Sequence, residues 1–314
     1  MRTARPPEGA PHQSPQGEST PVSAHFPVSI IGVGNMGGAM AQNLLSEGWT
    51  VHVHDLDQSR CAALAVSGAK SHAGAAAAAA STKTCIVCVV TAEQACDVLF
   101  GAGGVGAAMA LGSCVVLCPT MAPQEVHDIA ERLRPLGIFC VDAPMSGGPA
   151  RARDGSMSLM VACPDMVFER QRPLLQTLSS KLFRISERPG DGARTKLVNN
   201  LAAGINLVAA AEVLVMAGRM GLDATRTLQV IEQSSGQSWI GSERMRRAIA
   251  GDLAPRAHMS LLEKDTRLAV QAALAAGFQG PLGASARDVF AKASAAGLAD
   301  ADDAALLQWL QQSE

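Results

Sequence analysis

The first chemical signal is the run Gly32-Val33-Gly34-Asn35-Met36-Gly37, a G-x-G-x-x-G turn. Each glycine has a physical task. The first permits a tight turn, the second lets the backbone approach a pyrophosphate, and the third lets a helix pack closely on a strand. An anion then lies at a helix N-terminus, where free N–H groups and the dipole favour negative charge. The chain holds 30 glycines, so the spacing alone says little and the setting decides. An apolar run at 28–31 precedes the turn and a helical pattern at 39–47 follows it. Residues 50–54 then alternate Val with polar side chains and end at Asp55. An acidic residue about 20 positions past the turn completes a dinucleotide-binding unit. Its carboxylate can accept from ribose hydroxyls and would repel a 2′-phosphate. No Arg follows Asp55 directly, although Arg60 is near in sequence. NAD is therefore expected in preference to NADP, bound by Gly32, Gly34, Asn35, Met36, Gly37 and Asp55.

Further along, Asp142-Ala143-Pro144-Met145-Ser146-Gly147-Gly148 follows an apolar run at 138–141. If that run is a strand, Ser146, Gly147 and Gly148 lie at the carboxyl edge of a sheet, where ligands bind. A hydroxyl and successive N–H groups there can grip a carboxylate. Lys196, Asn199 and Asn200 fall at helical spacing and project from one side of a helix. Lys264-Asp265 is a second polar pair on a helical pattern. The chain has no tyrosine, which removes any Tyr-Lys acid/base scheme and leaves Lys, His or Asp to move a proton. His52 and His54 alternate with Val51 and Val53, so structural or solvated roles are expected for them.

Composition bounds what these residues belong to. The 314 residues are 48% hydrophobic and 17% charged, with net charge −2, which is globular composition without the basic face a nucleic-acid partner would need. Eight cysteines fall mostly within apolar runs, and Cys85 and Cys88 form a C-x-x-C inside one of them. No second pair completes a zinc site, so reduced, buried thiols, no metal and a cytoplasmic setting are expected. Residues 1–26 are rich in Pro, Ser, Gln and Gly, lack the apolar core of a signal peptide, and are expected to be a disordered extension. Strand-like runs at 84–90, 113–118, 158–163 and 182–185 alternate with helical segments, including the alanine tract at 74–80. This pattern predicts a Rossmann-like, doubly wound and mainly parallel sheet. After Pro189-Gly190-Asp191-Gly192 only helical patterns remain, beginning with 196–218. The expected organisation is therefore a dinucleotide-binding domain over 27–189 and an all-α substrate and oligomerisation domain over 190–314. The most apolar stretch, 201–217, contains Asn206 and Glu212, so a buried helix is expected rather than a membrane span.

The four motifs, in this order, resemble those of the β-hydroxyacid dehydrogenases, a family that includes 3-hydroxyisobutyrate dehydrogenase. They are the glycine turn, the Asp142–Gly148 segment, Gly192-Ala193-Arg194-Thr195-Lys196-Leu197-Val198-Asn199-Asn200, and Lys264-Asp265. The resemblance runs from about Val28 to the C-terminus. It implies NAD-dependent oxidation of a small hydroxy acid, with Lys196 as acid/base and an adjacent Asn, preferably Asn200, orienting the substrate. It further implies that Ser146, Gly147, Gly148 and Asn199 bind the substrate acid. Thr120 and Lys264 would lie beside the nicotinamide, and Val89 and Val90 near the adenosine. A homodimer or homotetramer is implied as well. Val89-Val90-Thr91-Ala92-Glu93-Gln94 and Ser234-Ser235-Gly236-Gln237-Ser238-Trp239 resemble the L-threonate-oxidising branch. Thr266, beside Lys264, is a small departure from the family pattern; Met145 and Gln237 depart from it too and leave the substrate more open than the chemistry. Reduction of tartronate semialdehyde is the alternative, and a catalytically inactive NAD-binding sensor a second one.

Overall fold

In the computed structural model, residues 25–312 are described, so almost all of the expected N-terminal extension lies outside the described residues. The strands are β1 (Val28–Ile31), β2 (Val51–His54), β3 (Lys70–Ser71), β4 (Thr84–Val87), β5 (Cys114–Leu117), β6 (Phe139–Asp142), β7 (Met145–Ser146), β8 (Ser158–Ala162) and β9 (Lys181–Ser186). Among the described residues they form one sheet in the order β3-β2-β1-β4-β5-β6-β8-β7, with β9 paired to β8. Pairing is parallel from β3 through β6. It turns antiparallel where β8 meets β6 and β7, and is parallel again between β8 and β9. This is the doubly wound, mainly parallel sheet that the alternation of strand and helix patterns predicts. The two-residue strands β3 and β7 escape a pattern reading because two residues show no periodicity.

Helices between the strands are α1 (Asn35–Ser46), α2 (Gln58–Val66), α3 (Ala75–Ala80), α4 (Ala92–Phe100), α5 (Val105–Ala108), α6 (Pro123–Leu133), α7 (Gly148–Arg153) and α8 (Asp165–Leu178). Both sheet faces are covered, which is why β1, β4 and β5 are apolar almost throughout. Val28, Ile30, Ile86 and Val116 join Met40, Leu44 and Leu174 in one core. Ile31, Val87, Val115 and Leu117 join Leu99, Val126 and Ile129 in the other. Past the sheet come α9 (Asp191–Arg219), α10 (Ala224–Glu232), α11 (Trp239–Ile249), α12 (Met259–Ala275), α13 (Pro281–Ala293) and α14 (Leu306–Gln312). Leu207, Leu214, Met245, Met259, Phe290 and Leu306 form a third core there.

Two expectations need correction. Helix α9 begins at Asp191, five residues before Lys196, so Lys196 sits in the second turn rather than at the opening. The cause lies in the sheet: Asp142 of β6 accepts from the backbone N–H of Gly190 (2.7 Å) and Ala193 (3.1 Å) through a single oxygen, satisfying donors that a helix start otherwise leaves unpaired. Second, α9 is buried along one stripe only. Leu207, Ala211 and Leu214 are buried, whereas Val198 is 73% and Met216 55% exposed. By length and composition it is the one described helix apolar enough to cross a membrane.

Candidate active site

The glycine turn joins β1 to α1. Gly32 has φ +88°, a region that favours glycine. A Cβ at Gly37 would lie 1.9 Å from the carbonyl oxygen of Gly32, so the helix can approach the strand this closely only without a side chain. Gly34 occupies the N-cap of α1 with no side-chain cap and no acidic residue in the first turn. The first N–H groups of α1 therefore remain available to an anion. These features fit a dinucleotide pyrophosphate. The site lies where strand order reverses, between the carboxyl ends of β1 and β4, which is where ligands bind in such sheets. β4 stops at Val87, so Val89 and Val90 lie in the loop beyond it, with Val90 52% exposed. Their place past the strand end puts them on the same edge.

Asp55 follows the last residue of β2. Its Oδ2 accepts from the Val33 N–H at 2.7 Å and its Oδ1 from the Asp57 N–H at 2.9 Å. The carboxylate thus also ties the end of β2 to the glycine turn, a contact across 22 residues that no local pattern shows. Arg60 pairs with Asp57 at 3.2 Å and stands 4.0 Å from Asp55. His52 is buried and shares a 2.9 Å hydrogen bond with His72; burial, then the charges of His72 and Lys70, push its imidazolium down.

A second cluster forms where α9 and α12 meet the sheet. Lys196 is 7% exposed, and burial, the largest influence, pushes its ammonium from 10.5 down to about 8. Lys264 pushes in the same direction and Asp265 opposes. Asp265 is the hub. Its Oδ1 pairs with Lys264 Nζ at 2.8 Å and its Oδ2 accepts from Asn200 Nδ2 at 2.6 Å. Asn199 Nδ2 donates to Asn200 Oδ1 at 3.0 Å. Lys264 Nζ also donates to the Thr120 carbonyl at 2.7 Å, reaching the loop after β5 across 144 residues. Lys196, Asn199, Asn200, Lys264 and Thr120 thus belong to one cluster. Ser146 ends β7 and Gly147 and Gly148 lead into α7, all three partly buried near the carboxyl edge of the sheet. A buried amine poised between its two protonation states can take or give a proton.

Sequence reading assigned no role to two buried carboxylates, Asp265 and Asp142. Each stands in a motif quoted above, but its partners are distant in sequence: Asn200 for Asp265, Gly190 and Ala193 for Asp142. For Asp142 the available signal was an acidic residue closing the apolar run 138–141, whereas Asp265 stands among Glu263, Lys264, Thr266 and Arg267 and carries no such signal. For Asp142, burial dominates and raises the carboxyl from 3.8 to about 6, against the lowering effect of the N–H groups it accepts from. All eight cysteines are free thiols, and burial raises the Cys85 and Cys88 thiols to about 12, out of range for a thiolate at neutral pH.

Comparison with known proteins agrees with this architecture. Residues 27–186 match the model of the NAD binding domain of 6-phosphogluconate dehydrogenase. Residues 190–310 match that described as NAD-binding of NADP-dependent 3-hydroxyisobutyrate dehydrogenase. The chain is 34% identical to an L-threonate dehydrogenase of Escherichia coli K12, over 91% of this chain and 95% of that protein. It is 31% identical to a 2-hydroxy-3-oxopropionate reductase of the same strain, over 90% and 97% respectively. A crystal structure of a 3-hydroxyisobutyrate dehydrogenase from Salmonella typhimurium superposes with a TM-score of 0.85 at 34% identity, covering 90% of this chain and 99% of that one. The chain belongs to the 3-hydroxyisobutyrate dehydrogenase-like family of NAD(P)-dependent oxidoreductases, whose NAD binding domain is of the 6-phosphogluconate dehydrogenase type.

Proposed function

We propose that this dehydrogenase oxidises a hydroxyl of a small hydroxy acid, L-threonate or a related aldonic or 3-hydroxy acid, with NAD as acceptor and Lys196 as acid/base. The observation that carries the reading is the buried Lys196 amine, held near neutrality at about 8 within a cluster drawn from both halves of the chain. When bound, the nicotinamide supplies the hydride acceptor. Neutral Lys196 Nζ takes the hydroxyl proton, and in the reverse direction its ammonium returns it. Asn200, hung from Asp265 and joined to Asn199, orients the reacting hydroxyl. Ser146, Gly147 and Gly148 hold the substrate carboxylate. Lys264 and Thr120, already bonded to each other, border the nicotinamide, and Val89 and Val90 the adenosine.

Asp55 gives NAD its advantage, because a 2′-phosphate would meet its carboxylate. Asp55→Arg should raise the ratio of NADP to NAD turnover, and an unchanged ratio would remove Asp55 from cofactor choice. The chain divides near residue 190 into a dinucleotide-binding domain and a helical domain for substrate and assembly. A homodimer or homotetramer in a reducing cytoplasm accounts for the open apolar side of α9 and the eight free thiols.

The likeness to a 2-hydroxy-3-oxopropionate reductase supports tartronate semialdehyde reduction as a second reading. A panel of aldonic, 3-hydroxy and three-carbon aldehyde acids, assayed with NAD(H) and NADP(H), separates the two. Lys196→Ala should keep cofactor binding and lose turnover by orders of magnitude. Turnover close to that of the native enzyme would exclude Lys196 as the proton carrier.

A further inference from the structure

One cation beside the Ser146–Gly148 segment makes no ion pair with a carboxylate. Arg151 lies in α7, and its stem packs against Gly147, where an added Cβ would meet Arg151 Cδ at 2.9 Å. Its guanidinium carbon stands 4.9 Å from the ring centroid of Trp239, the first residue of α11, which is 51% exposed. The contact therefore bridges the sheet half and the helical half of the chain. Among the described residues no Asp or Glu lies within ion-pair distance of Arg151. Its near neighbour Asp154 accepts from the hydroxyl and backbone of Ser156. Those bonds hold the Asp154 carboxyl below the usual range, with a smaller contribution from the Arg151 charge, but the two side chains form no ion pair.

A hydroxy acid brings a negative charge, and both lysines of the α9–α12 cluster are otherwise engaged. Lys196 must be neutral to accept a proton. Lys264 is paired with Asp265 and bonded to Thr120. The Ser146 hydroxyl and the glycine N–H groups are neutral dipoles. A guanidinium held over an indole ring still carries N–H donors in a planar fork that matches a carboxylate. We propose that Arg151, braced on Trp239, supplies the fixed positive charge that pairs with the substrate carboxylate and selects acids over uncharged alcohols. This rests on the reading of Ser146–Gly148 as the carboxylate segment and makes Arg151 a specificity-determining residue rather than a proton carrier.

The test compares L-threonate with its uncharged amide in the native enzyme, Arg151→Gln, Arg151→Lys and Trp239→Leu. Losing a charge-assisted contact should raise KM for L-threonate ~10- to 100-fold in Arg151→Gln, with kcat changed far less. KM for the amide should stay put. Arg151→Lys should recover part of the loss, and Trp239→Leu, which keeps the charge but frees it, should lose part of the affinity. KM for the acid should rise with salt in the native enzyme and much less in Arg151→Gln. Equal increases for acid and amide would reveal a merely structural role and overturn the proposal, as would an unchanged KM for the acid. Binding of L-threonate, followed by tryptophan fluorescence without turnover, separates the two levels of inference. No oxidation of any acid refutes the dehydrogenase reading. Native and Arg151→Gln enzymes binding L-threonate equally refutes the role of Arg151.

Discussion

Replacing Asp265 by Asn tests how the cluster sets the proton affinity of Lys196. Burial pushes the ammonium from 10.5 to about 8, with Asp265 pulling it up and Lys264 pushing it down. That displacement enlarges the neutral fraction at pH 7 roughly 300-fold, from about 0.03% to about 9%. Asp265→Asn keeps the shape of the side chain and an oxygen for the Asn200 amide, but deletes the charge. The remaining influences then point downward together, because Lys264 also loses its ion-pair partner. Opposite charges a few ångströms apart at an effective dielectric of about 20 interact by a few kcal/mol, and about one pH unit of that should survive relaxation. The midpoint in the pH profile of kcat/KM for oxidation, which reports the free enzyme, should therefore fall by about one unit. Lys264→Ala removes a downward push and should move the same midpoint up. Initial rates of NADH formation across neutral to alkaline pH provide both values. Midpoints that stay put, or that move together in one direction, would refute the coupling of Lys196 to this pair.

Gly37→Ala should abolish high-affinity cofactor binding or force α1 off the strand, since its Cβ would lie 1.9 Å from the Gly32 carbonyl oxygen; calorimetric titration with NAD checks this. Asp142→Asn imitates the protonated carboxyl and retains an oxygen able to accept from both Gly190 and Ala193. The folded carboxyl titrates at about 6 rather than 3.8, so the native fold holds this proton more tightly than the unfolded chain does. The stability it contributes is complete below 3.8 and is lost as pH rises through about 6. The native protein should therefore gain on the variant as pH falls across this window, by up to about 3 kcal/mol, and a gap in denaturation midpoint that is constant with pH would contradict it.

Local pattern was enough to mark the strand, glycine turn, helix and second strand of the dinucleotide-binding unit. The glycine spacing, the apolar run before it and the Asp55 that ends the next strand are short-range features, because turn geometry and strand alternation act over a few residues. The order of motifs likewise sufficed to place the chain among dehydrogenases. Sequence could not say where α9 begins, because a carboxylate in β6 caps it across 48 residues. It could not say that one face of α9 stays open, since burial depends on which helices pack against it. It named Lys196 through resemblance, whereas the depressed proton affinity of that amine comes from burial and from the charges of α12. Asp265, joined to Asn200 across 65 residues, and Arg151, stacked on Trp239 of the other half, acquire their surroundings only when the chain closes. Proton affinity and charge pairing fall off over ångströms, not residues, so tertiary structure decided them.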